Sequence, residues 1–321
     1  MFELIVCWAV LGGLEVERGE ARFRATAEEG GVPERFRLEE GAFVYLMTPR
    51  LEMGSYSVWA LRFPSPIVSP DVENNTVHAE YFRPKWKGGK RGPAVVVLHI
   101  LGADFALSRY IAVRLAERGV GALFVKLPYY GERRPAGGDK RFLSTDIERS
   151  MLAMRQGVCD VRRAVAWLAG REEVDAEAIG VTGVSLGGIV ASLAAAVDPA
   201  LNRGAFLLAG GDLARILWEM PEGAKAKRAW VESGRSFADL KALTDPFDPL
   251  TYASRLKGKK MMMIAGNTDD VIPPSSARAL WEGAGRPRMT WYDCGHYSAV
   301  GYLLPAIRGT VEFFAGGEGG L

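Results

Sequence analysis

A chain of 321 residues, 48% hydrophobic and 24% charged, is long enough for one large globular domain or two small ones. Its net charge of +2 gives no electrostatic basis for binding nucleic acid or an anionic membrane. Three cysteines without a Cys-x-x-Cys pair (Cys7, Cys159, Cys294) argue against a disulfide framework and a structural zinc site, and only three histidines (His78, His99, His296) argue against a histidine-rich metal site.

Residues 4–14 form an apolar run of signal-peptide length, but the only charge before it is Glu3, and the run is too short to span a bilayer. It reads as a buried strand or short helix of a cytoplasmic protein. A secreted or periplasmic location follows if residues 1–20 act as an atypical signal. No later segment reaches transmembrane length without charges, so no stable membrane insertion is expected. Residues 15–92 are polar and broken by Pro64, Pro66 and Pro70. Their aromatic and β-branched stretches, 35–47, 55–63 and 76–82, read as antiparallel strands. Residues 1–92 are thus an N-terminal extension whose strands join a main sheet.

From residue 93 strands and helices alternate. Residues 94–99 are continuously apolar, the mark of a strand buried on both faces. A helix over 108–117 ends at Gly119, and a strand follows over 121–126. A loop over 127–135 carries Tyr129, Tyr130 and Arg133, and a long helix spans 146–169. Strand 178–182, a helix after it and strand 204–208 continue the rhythm. Helices over 212–220, 224–234 and 237–243 interrupt it. It resumes with strand 261–265, helix 274–281, strand 288–294 and helix 298–314, before a glycine-rich tail over 316–320. The expected architecture is α/β: a mostly parallel central sheet with helices on both faces, antiparallel N-terminal strands and a small helical insert. The core comprises 93–209 and 259–317, and the cap-like insert 210–258.

The sequence Gly183-Val184-Ser185-Leu186-Gly187 lies between the strand at 178–182 and a small-residue helix. Strand, G-x-S-x-G and helix are the context of a nucleophile elbow, where a strained turn lifts one side chain out of the sheet. A serine hydroxyl needs a base, and the base needs an orienting carboxylate. Both should follow strands directly. His296 follows strand 288–294 and is the only histidine after Ser185. Asp269 and Asp270 follow strand 261–265, and either can serve as the acid. An oxyanion requires two backbone N–H donors. Leu186 supplies one, and the loop after strand 94–99 the other, where His99 reads as a structural brace.

These residues resemble the α/β-hydrolase superfamily, and within it the dienelactone hydrolase, acetyl xylan esterase and prolyl-oligopeptidase-like branch. The matching stretches are Leu98-His99, Gly183 to Gly188, Gly266-Asn267-Thr268-Asp269-Asp270-Val271-Ile272-Pro273 and Gly295-His296. Together they place the resemblance over roughly residues 90–315. The spacing Gly-x-x-Asp-x-x-x-Pro implies Asp269 as the acid. Ile100 stands where many relatives have glycine, so the second oxyanion donor is expected at Leu101, with Ile100 the alternative. The resemblance implies a serine hydrolase of the carboxylesterase kind, cleaving a small-molecule ester or thioester through an acyl-enzyme on Ser185, with no metal and no organic cofactor. A catalytically silent binding or scaffold protein, and a peptidase or amidase, are the alternatives. Tyr129, Tyr130, Trp218, Met220 and Trp230 are the expected pocket residues, and their apolar character suggests a sizeable acyl group.

Overall fold

A computed structural model describes residues 15–86, 90–102, 105–138 and 140–316. The apolar run at 4–14, Cys7 and the tail beyond Gly316 lie outside the described residues.

Ten strands form a single sheet: β1 Glu17–Phe23, β2 Gly41–Glu52, β3 Tyr56–Pro64, β4 Thr76–Pro84, β5 Gly92–Leu98, β6 Gly121–Val125, β7 Val174–Val184, β8 Arg203–Leu207, β9 Lys260–Gly266 and β10 Arg288–Tyr292. Their order across the sheet is β1-β2-β3-β4-β6-β5-β7-β8-β9-β10. From β6 to β10 every pairing is parallel, and from β1 to β4 every pairing is antiparallel. The two halves join where β4 runs antiparallel to β6, with Ala79 opposite Val125 and Phe82 opposite Ala122. The fold is therefore α/β, with a mostly parallel core sheet extended by antiparallel N-terminal strands.

The helices are α1 Ala106–Glu117, α2 Ile147–Ala169, α3 Leu186–Val197, α4 Leu213–Glu219, α5 Ala224–Glu232, α6 Phe237–Thr244, α7 Pro274–Gly283 and α8 Leu303–Phe314. Strand β5 explains why they lie on both faces. Side chains alternate along a strand, so Val95 and Val97 enter one core with Ile111 and Leu115 of α1 and Ile307 and Val311 of α8. Val96 and Leu98 enter the other core, with Val158 and Val161 of α2 and Ile189 and Leu193 of α3. Each such side chain, fully buried, contributes about 1.5–3 kcal/mol, which is why the run 94–98 carries no polar residue.

The strand expected over 35–47 is instead a 3-10 turn, Glu34–Phe36, whose buried Phe36 packs edge-on against Phe247, followed by β2 from Gly41 to Glu52. Other boundaries also differ for physical reasons. Strand β1 escaped notice because only Ala21 and Phe23 of Glu-Arg-Gly-Glu-Ala-Arg-Phe are buried. It is held by backbone pairing to β2 and by Glu17, which joins Arg171 and the Tyr45 hydroxyl. Strand β7 begins four residues before the apolar run, since Gly92 of β5 pairs with Val174. The last helix is split into a 3-10 turn, Ser298–Tyr302, and then α8. Pro305 is the third residue of α8, a place in the first turn where its missing N–H costs no helical hydrogen bond.

Helices α4 to α6 leave the sheet after β8, and the chain returns through 3-10 turns Asp245–Phe247 and Pro249–Leu256. Asp248 ties the start of this excursion to its end: its buried carboxylate accepts from the backbone N–H groups of Asp212, Leu213 and Leu250.

Candidate active site

Strand β7 ends at Val184 and α3 begins at Leu186, so Ser185 alone makes the turn. Its backbone lies at φ 54°, ψ −120°, a region non-glycine residues rarely occupy and which costs about 1–3 kcal/mol. Two neighbours must be glycine for this to fit. A Cβ on Gly183 would lie 2.3 Å from the carbonyl carbon of Gly187, and one on Gly187 would lie 2.6 Å from the Leu98 carbonyl oxygen. The turn is clamped by the Ser185 N–H, which donates to Leu207 of β8 at 2.9 Å.

The loops after β9 and β10 bring two side chains to this point. His296 Nε2 is 2.9 Å from Ser185 Oγ, and His296 Nδ1 is 2.8 Å from Asp269 Oδ2. The second oxygen of Asp269 accepts from Val271 N–H at 2.9 Å and Ile272 N–H at 2.7 Å. The carboxylate is 5% exposed and fully engaged. Asp270, its neighbour, is exposed, and the carboxylate that His296 meets is that of Asp269. The histidine loop is fixed by Gly295 N–H, which donates to Ser298 Oγ at 2.8 Å. Tyr297 donates its hydroxyl to Glu222, linking this loop to the segment between α4 and α5, and that bond pushes the phenol pKa up to about 12.

Leu186 is the first residue of α3, and N–H groups of a first helical turn have no partner within the helix. Across the site, His99 is fully buried under Tyr130 and Phe105, at ring distances of 4.4 and 4.9 Å. Its Nε2 accepts from Leu127 N–H at 3.1 Å, which leaves Nδ1 to donate to the Ile100 carbonyl at 2.7 Å. Burial pushes the imidazole pKa down to about 4. In a trans peptide the C=O and N–H point in opposite directions, and the described chain has no cis bond. Holding the Ile100 carbonyl therefore turns the Leu101 N–H away from His99.

Two cavities adjoin beside the site, and only the inner one is lined by the serine. The inner one, about 50 Å³, is walled by Ser185, Met151, Met154, Ile189, Ile216 and Ile272 among others. The outer one, about 330 Å³, shares Leu101, Leu143, Leu217 and Met220 with it and adds Tyr130 and Trp230. Two of the expected pocket residues line neither cavity. Tyr129 donates its hydroxyl to Asp71 at 3.1 Å, and Trp218 packs edge-on against Phe237 with the Lys227 ammonium over its ring. Arg133 is fully buried in an ion pair with Asp160 at 2.8 Å and donates to the carbonyls of Asn74 and Lys126. Sequence reasoning missed Met151 and Met154. Their spacing places them on one face of α2, but an apolar face of a long helix reads as core.

Two family models match the chain: "Alpha/beta hydrolase domain containing 18" over residues 57–203 and "Prolyl oligopeptidase family" over residues 152–283. An uncharacterized protein of Mycobacterium tuberculosis (strain H37Rv) is 28% identical over 184 residues, 56% of this chain; the match spans only 43% of that relative's length. Among solved structures, an acetyl xylan esterase from Paenibacillus sp. R4 superposes with a TM-score of 0.69 at 21% identity, over 84% of this chain and 88% of that one. A puromycin-hydrolyzing peptidase of Mycobacterium tuberculosis superposes with a TM-score of 0.60 at 14% identity, over 86% of this chain and 51% of that one. Sheet order, matched models and structural neighbours agree: the chain is a member of the α/β-hydrolase superfamily, a fold shared by esterases and peptidases.

Proposed function

We propose that the protein is a serine hydrolase that cleaves a small carboxylic ester or thioester through an acyl-enzyme on Ser185. The observation that carries this reading is the unbroken relay from Ser185 Oγ through His296 to Asp269, at 2.9 and 2.8 Å, beside an apolar cavity. In this reading Ser185 Oγ attacks the carbonyl carbon while His296 Nε2 takes its proton. Asp269 holds Nδ1–H and stabilises the imidazolium. The oxyanion is met by the N–H groups of Leu186 and Leu101, or of Ile100 in place of Leu101. Collapse expels the alcohol or thiol, which takes the proton from His296. Water, activated by the same imidazole, then releases the acid and restores Ser185.

A cavity of about 50 Å³ favours a short acyl group, being about a third of the roughly 150 Å³ of an apolar cavity that takes up a benzene ring. The sizeable acyl group suggested by the aromatic insert gives way to this smaller one. Residues 210–258 act as the cap over the site, with residues 1–92 as an extension of the sheet rather than a separate substrate-selecting domain; Leu213, Ile216, Leu217 and Met220 face the serine from the cap. The match to the prolyl oligopeptidase model favours one second reading, cleavage of an amide.

Fluorophosphonate labelling tests the proposal. Covalent label on Ser185, its loss in Ser185→Ala, and turnover of short 4-nitrophenyl esters are expected. Folded protein that takes no label and cleaves no ester would return the chain to the catalytically silent alternative, and cleavage of aminoacyl anilides in preference to esters would favour the peptidase.

A further inference from the structure

We infer that the outer cavity is a subsite for a negatively charged group, so that the substrate is a short-chain ester carrying a carboxylate or phosphate on its alcohol portion. The inference rests on the proposed serine esterase reading and adds the chemistry of the leaving group. The cavity is lined by four cationic side chains, Arg134, Arg141, Lys225 and Lys227, against one acidic side chain, Glu222. Glu222 is engaged by the Tyr297 hydroxyl. Lys227 lies 4.5 Å from the Trp218 ring centroid, a contact that leaves its charge uncompensated. Among the described residues none of the four cations is in an ion pair, unlike Arg162 with Glu29 and Arg171 with Glu17, so their charge is free to meet an anion entering the cavity.

Arg134 adds a second observation. Its Nε is buried and lacks a hydrogen-bond partner among the described residues. Leaving a buried donor unsatisfied is costly, and such groups are nearly always paired. A carboxylate or phosphate entering the cavity would supply the missing acceptor, and a guanidinium fork matches either anion. The inner cavity, by contrast, is walled almost wholly by Leu, Ile, Val and Met. Charge therefore belongs on the side of the scissile bond away from the acyl group.

The full chain can be tested with two matched pairs of esters: 3-carboxyphenyl acetate against 3-carbamoylphenyl acetate, and the acetyl ester of glycerol 3-phosphate against glyceryl monoacetate. We expect kcat/KM to favour the anionic member of at least one pair by about tenfold or more near 10 mM salt. The pair with the larger ratio identifies the anion. The preference should shrink in 1 M salt, where the Debye length falls from about 30 Å to about 3 Å. In the double variant Arg141→Gln, Lys225→Gln, both sites being exposed and tolerant of substitution, the ratio should fall toward one. Ratios of one or below in both pairs, with neutral esters turned over and Ser185 labelled, would overturn the anionic subsite and leave the esterase reading standing. No turnover of any of the four with no label on Ser185 would overturn both.

Discussion

His99 Nδ1 lies 2.7 Å from the carbonyl oxygen of Ile100, and this bond between adjacent residues sets the direction of the next N–H, that of Leu101. The imidazole can do this only while neutral, because its other nitrogen must accept from Leu127. Burial keeps it so, holding the folded pKa near 4 against the usual 6.5. The stability that depends on neutral His99 is complete above about pH 6.5 and is lost as pH falls toward 4, because the unfolded chain takes up the proton first. The gap corresponds to about 3 kcal/mol. Urea unfolding at pH 7 and pH 4 should show that loss in the wild type and a smaller one in His99→Gln. Equal losses in the two proteins would place the acid sensitivity elsewhere.

The adjacent carboxylates Asp269 and Asp270 should behave very differently. Asp269 is buried against His296 and two backbone N–H groups, whereas Asp270 faces solvent. Asn at 269 can still serve the turn but cannot hold Nδ1–H in the required tautomer. A fall in kcat of about 10³- to 10⁴-fold is expected for Asp269→Asn, with a change within about twofold for Asp270→Asn. Steady-state kinetics on a short ester measures both. A large loss at Asp270 alone would reverse the assignment.

Most of the fold was legible because its signals are local. The run 94–98 has no polar residue because both faces of β5 are buried, and the elbow's glycines stand where any Cβ would strike backbone. The approach of His296 and Asp269 to Ser185 was legible because in a parallel sheet the loops at the strand C-termini share one edge. What stayed hidden depends on long-range packing. β1 carries almost no apolar pattern, and its place is set by pairing with β2 and by Glu17 meeting Arg171, 154 residues away. Tyr129 and Trp218 resemble pocket residues in composition. Only the positions of Asp71 and Phe237 show where they turn.

The geometry of the elbow makes Gly187 intolerant of a single methyl group. The new Cβ would sit 2.6 Å from the Leu98 carbonyl oxygen and 2.7 Å from that of His99. Backbone cannot move aside as a flexible side chain can, so the strand end and the loop carrying Leu101 must shift. Gly187→Ala should lower stability by about 1–3 kcal/mol and lower kcat more than it raises KM, since in the proposed mechanism the displaced groups meet the oxyanion. Wild-type kcat in a folded Gly187→Ala protein would mean that the turn has slack the close contacts do not reveal.

The inner cavity's size rests on the long side chains of α2. Met154 is 2% exposed and walls the space beside Ser185 together with Met151. Truncating it should cost about 2–5 kcal/mol of stability, the usual range for a buried Met→Ala change. It should also open room for several more carbon atoms of an acyl chain. Across 4-nitrophenyl acetate, butyrate, hexanoate and octanoate, the wild type should favour the short members. In Met154→Ala the ratio of hexanoate to acetate in kcat/KM should rise about tenfold, a methylene in an apolar pocket being worth about 1–3 kcal/mol. If the folded variant keeps the wild-type ratio, the acyl chain does not enter between α2 and α4, and the anionic portion of the substrate would have to be reassigned along with it.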